Sequence, residues 1–210
     1  MRKVDPARYR AKRRNVMNAA APLFAARGLD GTSTTEIRRA AGISSGALFH
    51  YFPNKRAILV ALLTDEGGDN AERIAAARAH DDPWTALLEL VEHLAAPSAS
   101  PVAAGLVMEG LRQARRDPEL AEALEADSSC ELETLTHLVS RAAREGRADP
   151  VLSAEATAIW IQTLVGALFL RAATEPGFDA AAHIRELRSL LVRVVGGTEV
   201  RGAGPARPRG

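Results

Sequence analysis

Helix stop signals recur along this chain at short intervals, and between them apolar residues return every three or four positions, a pattern that builds amphipathic helices. Asp82-Pro83, Pro97 to Pro101, Asp117-Pro118, Asp149-Pro150 and Pro176-Gly177 separate helical stretches at about 83–95, 101–115, 118–147, 153–174 and 179–195. No run alternates apolar and polar residues as a half-buried strand would. The abundant Ala, Leu, Arg and Glu favour helix as well. The expected class is all-α, with about nine helices.

The first 80 residues are punctuated more finely. After a basic arm through Arg14, Val16, Ala19, Ala20, Leu23 and Phe24 mark a first helix that runs to Arg27, where Gly28 supplies the stop. Asp30-Gly31 is a turn, and Ser33-Thr34-Thr35-Glu36 is a capping box that opens a second helix. Ala41-Gly42 ends it within two turns, and Ser44 or Ser45 caps a third helix through Phe52, which Pro53 closes. Asn54 then caps a fourth helix that starts at Lys55 and runs toward Ala79. Gly67-Gly68 is a soft spot inside it, at roughly 1 kcal/mol per glycine relative to alanine.

Charge divides the 210-residue chain. Residues 1–60 carry 12 Lys/Arg against 3 Asp/Glu, while residues 61–210 carry 15 against 23, so a net charge of +1 conceals a basic end and an acidic body. Such asymmetry points to nucleic acid at the basic end. Apolar residues at 47% and charged residues at 25% describe a folded chain. Cys130 is the single cysteine, which excludes an internal disulfide and any multi-cysteine metal site. The basic start, Met1 to Pro6, has no secretory apolar run, and the most apolar segment, Ile159 to Leu170, is short of the roughly 20 residues a membrane span needs. A soluble, cytoplasmic protein is expected, with no cofactor and no metal.

Two short helices joined by a glycine turn, with a third element packed across them, form the unit that lays one helix in the DNA major groove. Ile37, Ala40, Ala41, Ile43, Leu48 and Phe52 make one apolar face, to be packed on Leu23 and Phe24. The opposite face holds Ser44, Ser45, Gly46, Ala47, Phe49, His50 and Tyr51, residues suited to close approach, phosphate hydrogen bonds and contact with thymine methyls. Arg8, Arg10, Lys12, Arg13 and Arg14 of the arm suit phosphate or minor-groove contact.

The stretch from Thr32 to Leu62 closely resembles the DNA-binding domain of the TetR family of regulators, and by motif the resemblance covers residues 10 to 62. It implies groove or phosphate contacts by Thr34 or Thr35, Ser44, Ser45, Gly46, Phe49, His50 and Tyr51, and a phosphate contact by Lys55. Phe49 stands where the family usually has tyrosine, and Arg38 where it often has a small residue, so base preference does not transfer. The implied organisation is a DNA-binding domain over 1–56, a helical ligand-binding and dimerisation domain over 57–195 and a disordered tail over 196–210. A ligand cavity is implied in the body, and its candidate lining is Met108, Glu109, Arg112, Cys130, Thr134, His137, Trp160 and Thr163.

The last two helices are more apolar than an internal core requires. Trp160, Leu164, Gly166, Ala167, Leu168 and Leu170 on one, with Ile184, Leu187, Leu191 and Val194 on the other, are the expected homodimer interface, which would set two reading helices about 34 Å apart. The expected function is a repressor released from its operator by a small molecule, with Gly67-Gly68 absorbing the motion. Two alternatives stay open: a ligand-independent DNA-binding or architectural protein on the same fold, and a helical enzyme with a basic arm. For the last, Gly42-Ile43-Ser44-Ser45-Gly46 matches the G-x-S-x-G of a hydrolase elbow, but that elbow needs a strand before the serine, and here a capped helix precedes it. No catalytic residue is expected.

Overall fold

The computed structural model describes residues 5–64 and 69–196. These residues form ten α-helices: α1 (Pro6–Arg27), α2 (Thr34–Ala40), α3 (Ser45–Tyr51), α4 (Lys55–Leu63), α5 (Asp69–Ala79), α6 (Pro83–Ala95), α7 (Pro101–Ala114), α8 (Pro118–Arg144), α9 (Ala154–Thr174) and α10 (Ala180–Val194), with a short 3-10 turn, Ala96–Ala99, after α6. Among the described residues the only extended pairing is one antiparallel bridge, Ala148 with Gly196. The extra helix arises because the expected fourth helix is two, α4 and α5; Gly67-Gly68 lies outside the described residues, as does the tail over 197–210. The arm is also corrected. Asp5 caps α1 through its Oδ1, which accepts from the N–H groups of Ala7 at 3.0 Å and Arg8 at 3.4 Å, so the basic residues from Arg8 onward are helical.

The chain forms two compact units: 1–69 with 100–127, and 70–99 with 128–210. Helix α8 contributes residues to both. In the first unit Val16, Ala20 and Phe24 of α1 are buried with Ile37 of α2, Leu48 and Phe52 at α3, Ile58 and Leu59 of α4 and Leu106 of α7. Helix α7 belongs here because two glycines let it lie close: a Cβ at Gly105 would come within 2.9 Å of the Ala25 Cβ and 3.0 Å of the Ala25 carbonyl oxygen, and one at Gly110 within 3.0 Å of Leu63.

A clamp on the loop between α1 and α2 completes the unit. A buried loop must find partners for its backbone polar groups. Lys55 of α4 donates its ammonium to the carbonyls of Leu29 at 2.7 Å, Thr32 at 2.9 Å and Asp30 at 3.4 Å. From the other side Glu109 of α7, only 7% exposed, accepts the Leu29 N–H at 2.7 Å and is held by Arg112 and Gln113 at 2.8 Å each. Arg112 in turn reaches Asp30. A second ion pair, Arg56 with Asp117 and Glu119, ties α4 to the residues that start α8.

The second unit packs Trp84, Leu87 and Val91 of α6 against Leu135, Leu138 and Val139 of α8, Ile161, Val165 and Leu168 of α9, and Leu187 and Leu191 of α10. Helix α5 adds only Ile74 and Ala77 to this core. It is otherwise fastened to α8 by polar bonds: Asn70 to Glu131 at 3.0 Å, Arg78 Nε to the buried Thr134 hydroxyl at 2.7 Å, and Arg141 to the carbonyls of His80 and Asp81 beyond the end of α5. Helix α9 has 21 residues, long and apolar enough by length and composition to cross a bilayer, which corrects the expectation drawn from the 12-residue run. A core helix carrying a further apolar face meets the same criterion, and α9 is one: Ala158, Ile161, Val165 and Leu168 are buried in the unit while Ile159, Trp160 and Leu170 are exposed.

Two predictions follow from the first unit. Gly105→Ala destabilises by about 1 to 3 kcal/mol through overpacking, although alanine is favoured over glycine in a helix by about 1 kcal/mol; urea unfolding reads the sign. The second concerns acid. Burial pushes the Glu109 carboxyl upward, but the hydrogen bonds from Arg112, Leu29 and Gln113 and the Arg112 charge outweigh it, holding the group at about 2 against an ordinary 4.5. Backbone and side-chain hydrogen bonds from Ser33, then Arg27, hold Glu36 at about 2, and the Arg56 hydrogen bond holds Asp117 at about 2. Each carboxylate has a lower pKa folded than unfolded, so its contribution is complete above about 4.5 and disappears as pH falls toward 2. Unfolding free energy measured against pH therefore declines through that window. Glu109→Gln lowers stability at pH 7 by about 1 to 3 kcal/mol and makes the decline shallower.

Candidate nucleic-acid interface

Local caps place each element of the helix-turn-helix. The Ser33 Oγ accepts the Glu36 N–H at 3.2 Å while the Glu36 carboxylate accepts the Ser33 N–H at 2.9 Å, the reciprocal pair of a capping box. Arg27 holds the same carboxylate at 2.6 Å and so fixes α2 to the end of α1. Gly42 has φ of +65°, the left-handed conformation the turn needs. Ser44 caps α3, its Oγ accepting the Ala47 N–H at 3.2 Å, and Asn54 caps α4. The serine of the G-x-S-x-G pattern is thus a helix cap.

Rotation of α3 about its axis is set by what it buries. Leu48 and Phe52 are each 1% exposed, inside the core built on α1. Helical spacing then turns Gly46, Phe49 and His50 outward. Ser44, Ser45, Gly46, Phe49 and His50 are exposed, Phe49 at 52%, and Ala47 and Tyr51 are half-buried. Thr35 is exposed and Thr34 half-buried at the start of α2. Ala40, expected inward, is exposed.

The basic residues divide by occupation. Arg13 is half-buried, its guanidinium 4.0 Å above the Phe52 ring and its Nη1 donating to the Tyr51 carbonyl at 2.6 Å, so it clamps the end of α3. Asn15 likewise donates to the Ala41 carbonyl at 3.0 Å. Lys55, expected on a phosphate, has its donors on three loop carbonyls instead, and Arg56 is held by Asp117 and Glu119. Arg8, Arg10, Lys12 and Arg14 of α1 and Arg39 of α2 are exposed. The structural parts of Arg13 and Lys55 carry no local sequence signal, because their partners lie 38 and 23 to 26 residues away.

The residues expected around a ligand divide between the two units. Met108, Glu109 and Arg112 lie in the first unit, where the Glu109–Arg112 pair performs the loop clamp. In the second, Thr134 is buried with its hydroxyl donated to the Cys130 carbonyl at 2.8 Å, and Cys130, His137, Trp160 and Thr163 are exposed. His137 borders an open groove of about 410 Å³ with Thr136, Arg144 and Glu155. Trp160, 58% exposed, lines an apolar groove of about 290 Å³ with Val151, Leu164, Leu190 and Val194. Of the residues expected between two copies, Leu168, Leu187 and Leu191 are buried in the unit's own core, because α9 and α10 pack on α6 through them; Leu164 and Ile184 are half-buried at its margin, and Gly166, Ala167, Leu170 and Val194 are exposed.

Residues 16–62 match the model for bacterial regulatory proteins of the tetR family. Over 136 residues the chain is 31% identical to the HTH-type transcriptional repressor Rv1474c of Mycobacterium tuberculosis, an alignment covering 65% of this chain and 68% of that protein. A TetR-family transcriptional regulator from Agrobacterium tumefaciens superposes with a TM-score of 0.73 at 20% identity, covering 90% of this chain and all of that one. A transcriptional regulator from Saccharomonospora viridis, solved in complex with choline, gives 0.74 at 17% identity, covering 89% and 98%. With a capped helix-turn-helix whose third helix faces outward, and a relative of this identity and extent, the chain belongs to the TetR family of bacterial transcriptional regulators.

Proposed function

We propose that the chain is a homodimeric, cytoplasmic repressor that reads a two-fold operator with α3 and is released from it by a small molecule. The observation that carries the DNA reading is the division of α3: Leu48 and Phe52 inward, Ser45, Gly46, Phe49 and His50 outward. On this reading residues 1–56 hold the DNA-contacting elements. Small residues at the start of α3 let its backbone approach the duplex, Phe49 meets a thymine methyl, and His50 and Tyr51 donate to a base edge or phosphate. Thr34, Thr35 and the exposed arginines of α1 and α2 add phosphate contacts that set register rather than sequence. Lys55 contributes by holding the α1–α2 loop.

The dimer reading is supported by an apolar face that the second unit leaves uncovered. Ile159, Trp160, Gly166, Ala167 and Leu170 of α9 share it with Leu190 and Val194 of α10. A Cβ at Gly166 would meet nothing within 4 Å in the single chain, so there is room for a neighbouring helix. Burial by a second copy would remove these side chains from water at about 25 cal/mol per Å², and closed two-fold pairing matches a palindromic site.

Support for an effector comes from the choline complex of the regulator from Saccharomonospora viridis. A second reading, DNA binding without an effector, is favoured by one observation: the polar groups of Glu109, Arg112 and Thr134 already have partners within the protein. A metabolite panel in a DNA-release assay separates the two readings, since release by any compound eliminates the second.

A duplex selected from a random pool serves as the operator for mutational tests. Phe49→Ala or His50→Ala weakens binding to it by about tenfold or more with little effect on random duplex. Lys55→Met leaves the slope of log affinity against log salt unchanged, whereas a phosphate contact would lower its magnitude by about 0.9. Replacing Trp160 and Leu170 together by glutamate yields monomers in sedimentation velocity and a steep loss of operator affinity, because two linked heads bind far better than one.

A further inference from the structure

Tyr9 lies in the first turn of α1, before the segment that matches the family model. Its place on the helix is informative. Tyr9, Arg13, Val16, Ala20 and Phe24 recur at spacings of three and four, so they form one stripe, and its lower members are the buried wall on which α3 rests. Tyr9 continues that stripe past the edge of the core. It is half-buried, and it stands beside two residues expected at DNA: its ring centroid is 5.2 Å from that of Tyr51 and 6.0 Å from that of His50, the latter edge-to-face at 84°. The His50 and Tyr51 rings are themselves 5.0 Å apart at 72°. Both tyrosines of the chain are in this group of three rings.

Edge-to-face and tilted pairs at these separations are the favourable geometry for aromatic rings, because the electron-rich face of one meets the electron-poor edge of another. His50 is exposed and has the imidazole nitrogens a base edge or phosphate would need; left alone it would sample several rotamers. Tyr9 restricts that choice. Its own position is fixed from both sides: Asp5 caps the turn that holds it, and one helical turn on, Arg13 bonds the Tyr51 carbonyl and covers Phe52. Tyr9 stands outside the apolar core, so its removal opens no cavity there.

We infer that Tyr9 is a positioning residue for sequence recognition: through its ring it holds His50 and Tyr51 in the rotamers that meet the bases. This rests on the reading of α3 as the DNA-contacting helix. The consequence is that operator specificity depends on a side chain supplied by α1 rather than by the reading helix.

The test uses the full chain, the duplex selected from a random pool and a random duplex of equal length. Tyr9→Leu keeps an apolar side chain without the ring, and Tyr9→Phe keeps the ring without the hydroxyl. Tyr9→Leu is expected to lose about tenfold in affinity for the selected duplex and less than about twofold for the random one, with a thermal midpoint close to wild type. Tyr9→Phe should restore wild-type affinity for both. In the free protein the His50 Cε1–H resonance should move in Tyr9→Leu, where the ring current is lost, and stay in Tyr9→Phe. Unchanged discrimination by Tyr9→Leu would overturn the inference alone, as would equal loss on both duplexes or a Tyr9→Phe that fails to rescue. If the wild-type chain selects no sequence, the reading of α3 fails first, and this inference with it.

Discussion

The burial of Leu48 and Phe52 against α1 decides what the rest of this protein can do. A seven-residue helix has no stability of its own in water, since nucleating a turn fixes several dihedrals for each hydrogen bond gained, so α3 exists because its inner side chains are held. The same two contacts fix its rotation. With 100° between successive residues, an inward Leu48 leaves Gly46, Phe49 and His50 outward, while Ser45 is exposed because it opens the helix. Shape and recognition therefore come from one packing event.

Charge in this unit does two kinds of work. Seen only as a sum, the basic N-terminal segment reads as an electrostatic surface for phosphate. In the structure Arg13, Arg27, Lys55 and Arg56 are engaged with carbonyls, a ring and carboxylates, and they organise the loop, the capping box and the ends of α3 and α4. The outward cations are Arg8, Arg10, Lys12 and Arg14 on the first turns of α1 and Arg39 on α2. Basic residues that complete a fold keep a lowered dependence on salt, because their partners are partly buried, whereas outward ones release counterions on binding DNA.

Much of this was legible in the residues themselves, where the governing interaction is local. Ser33 with Glu36, Ser44, Asn54, Asp82, Ser153 and Asp179 sit at helix starts and each accepts a backbone N–H two or three residues on, so the helix starts follow from sequence. The inward and outward faces of α3 follow from spacing. What could not be read is whatever depends on a partner far along the chain. By sequence Glu109 reads as a polar residue facing a cavity, and its acceptor role toward Leu29, 80 residues away, has no local pattern. Helix α7 lies far along the sequence from α1, and the glycines that bring it against Ala25 and Leu63 reveal their purpose only once those neighbours are in place. On α9 and α10 the apolar residues were visible, while their division into an inner and an outer set depends on which side meets α6.

The most direct test is to map where DNA touches the chain. With the selected duplex added to isotopically labelled full-length protein, the resonances of Ser45, Gly46, Phe49 and His50 should move most, those of Leu48 and Phe52 should change little, and the outer face of α9 should be unaffected. A duplex that binds with affinity and sequence preference while leaving those four residues unperturbed would contradict the account at its centre.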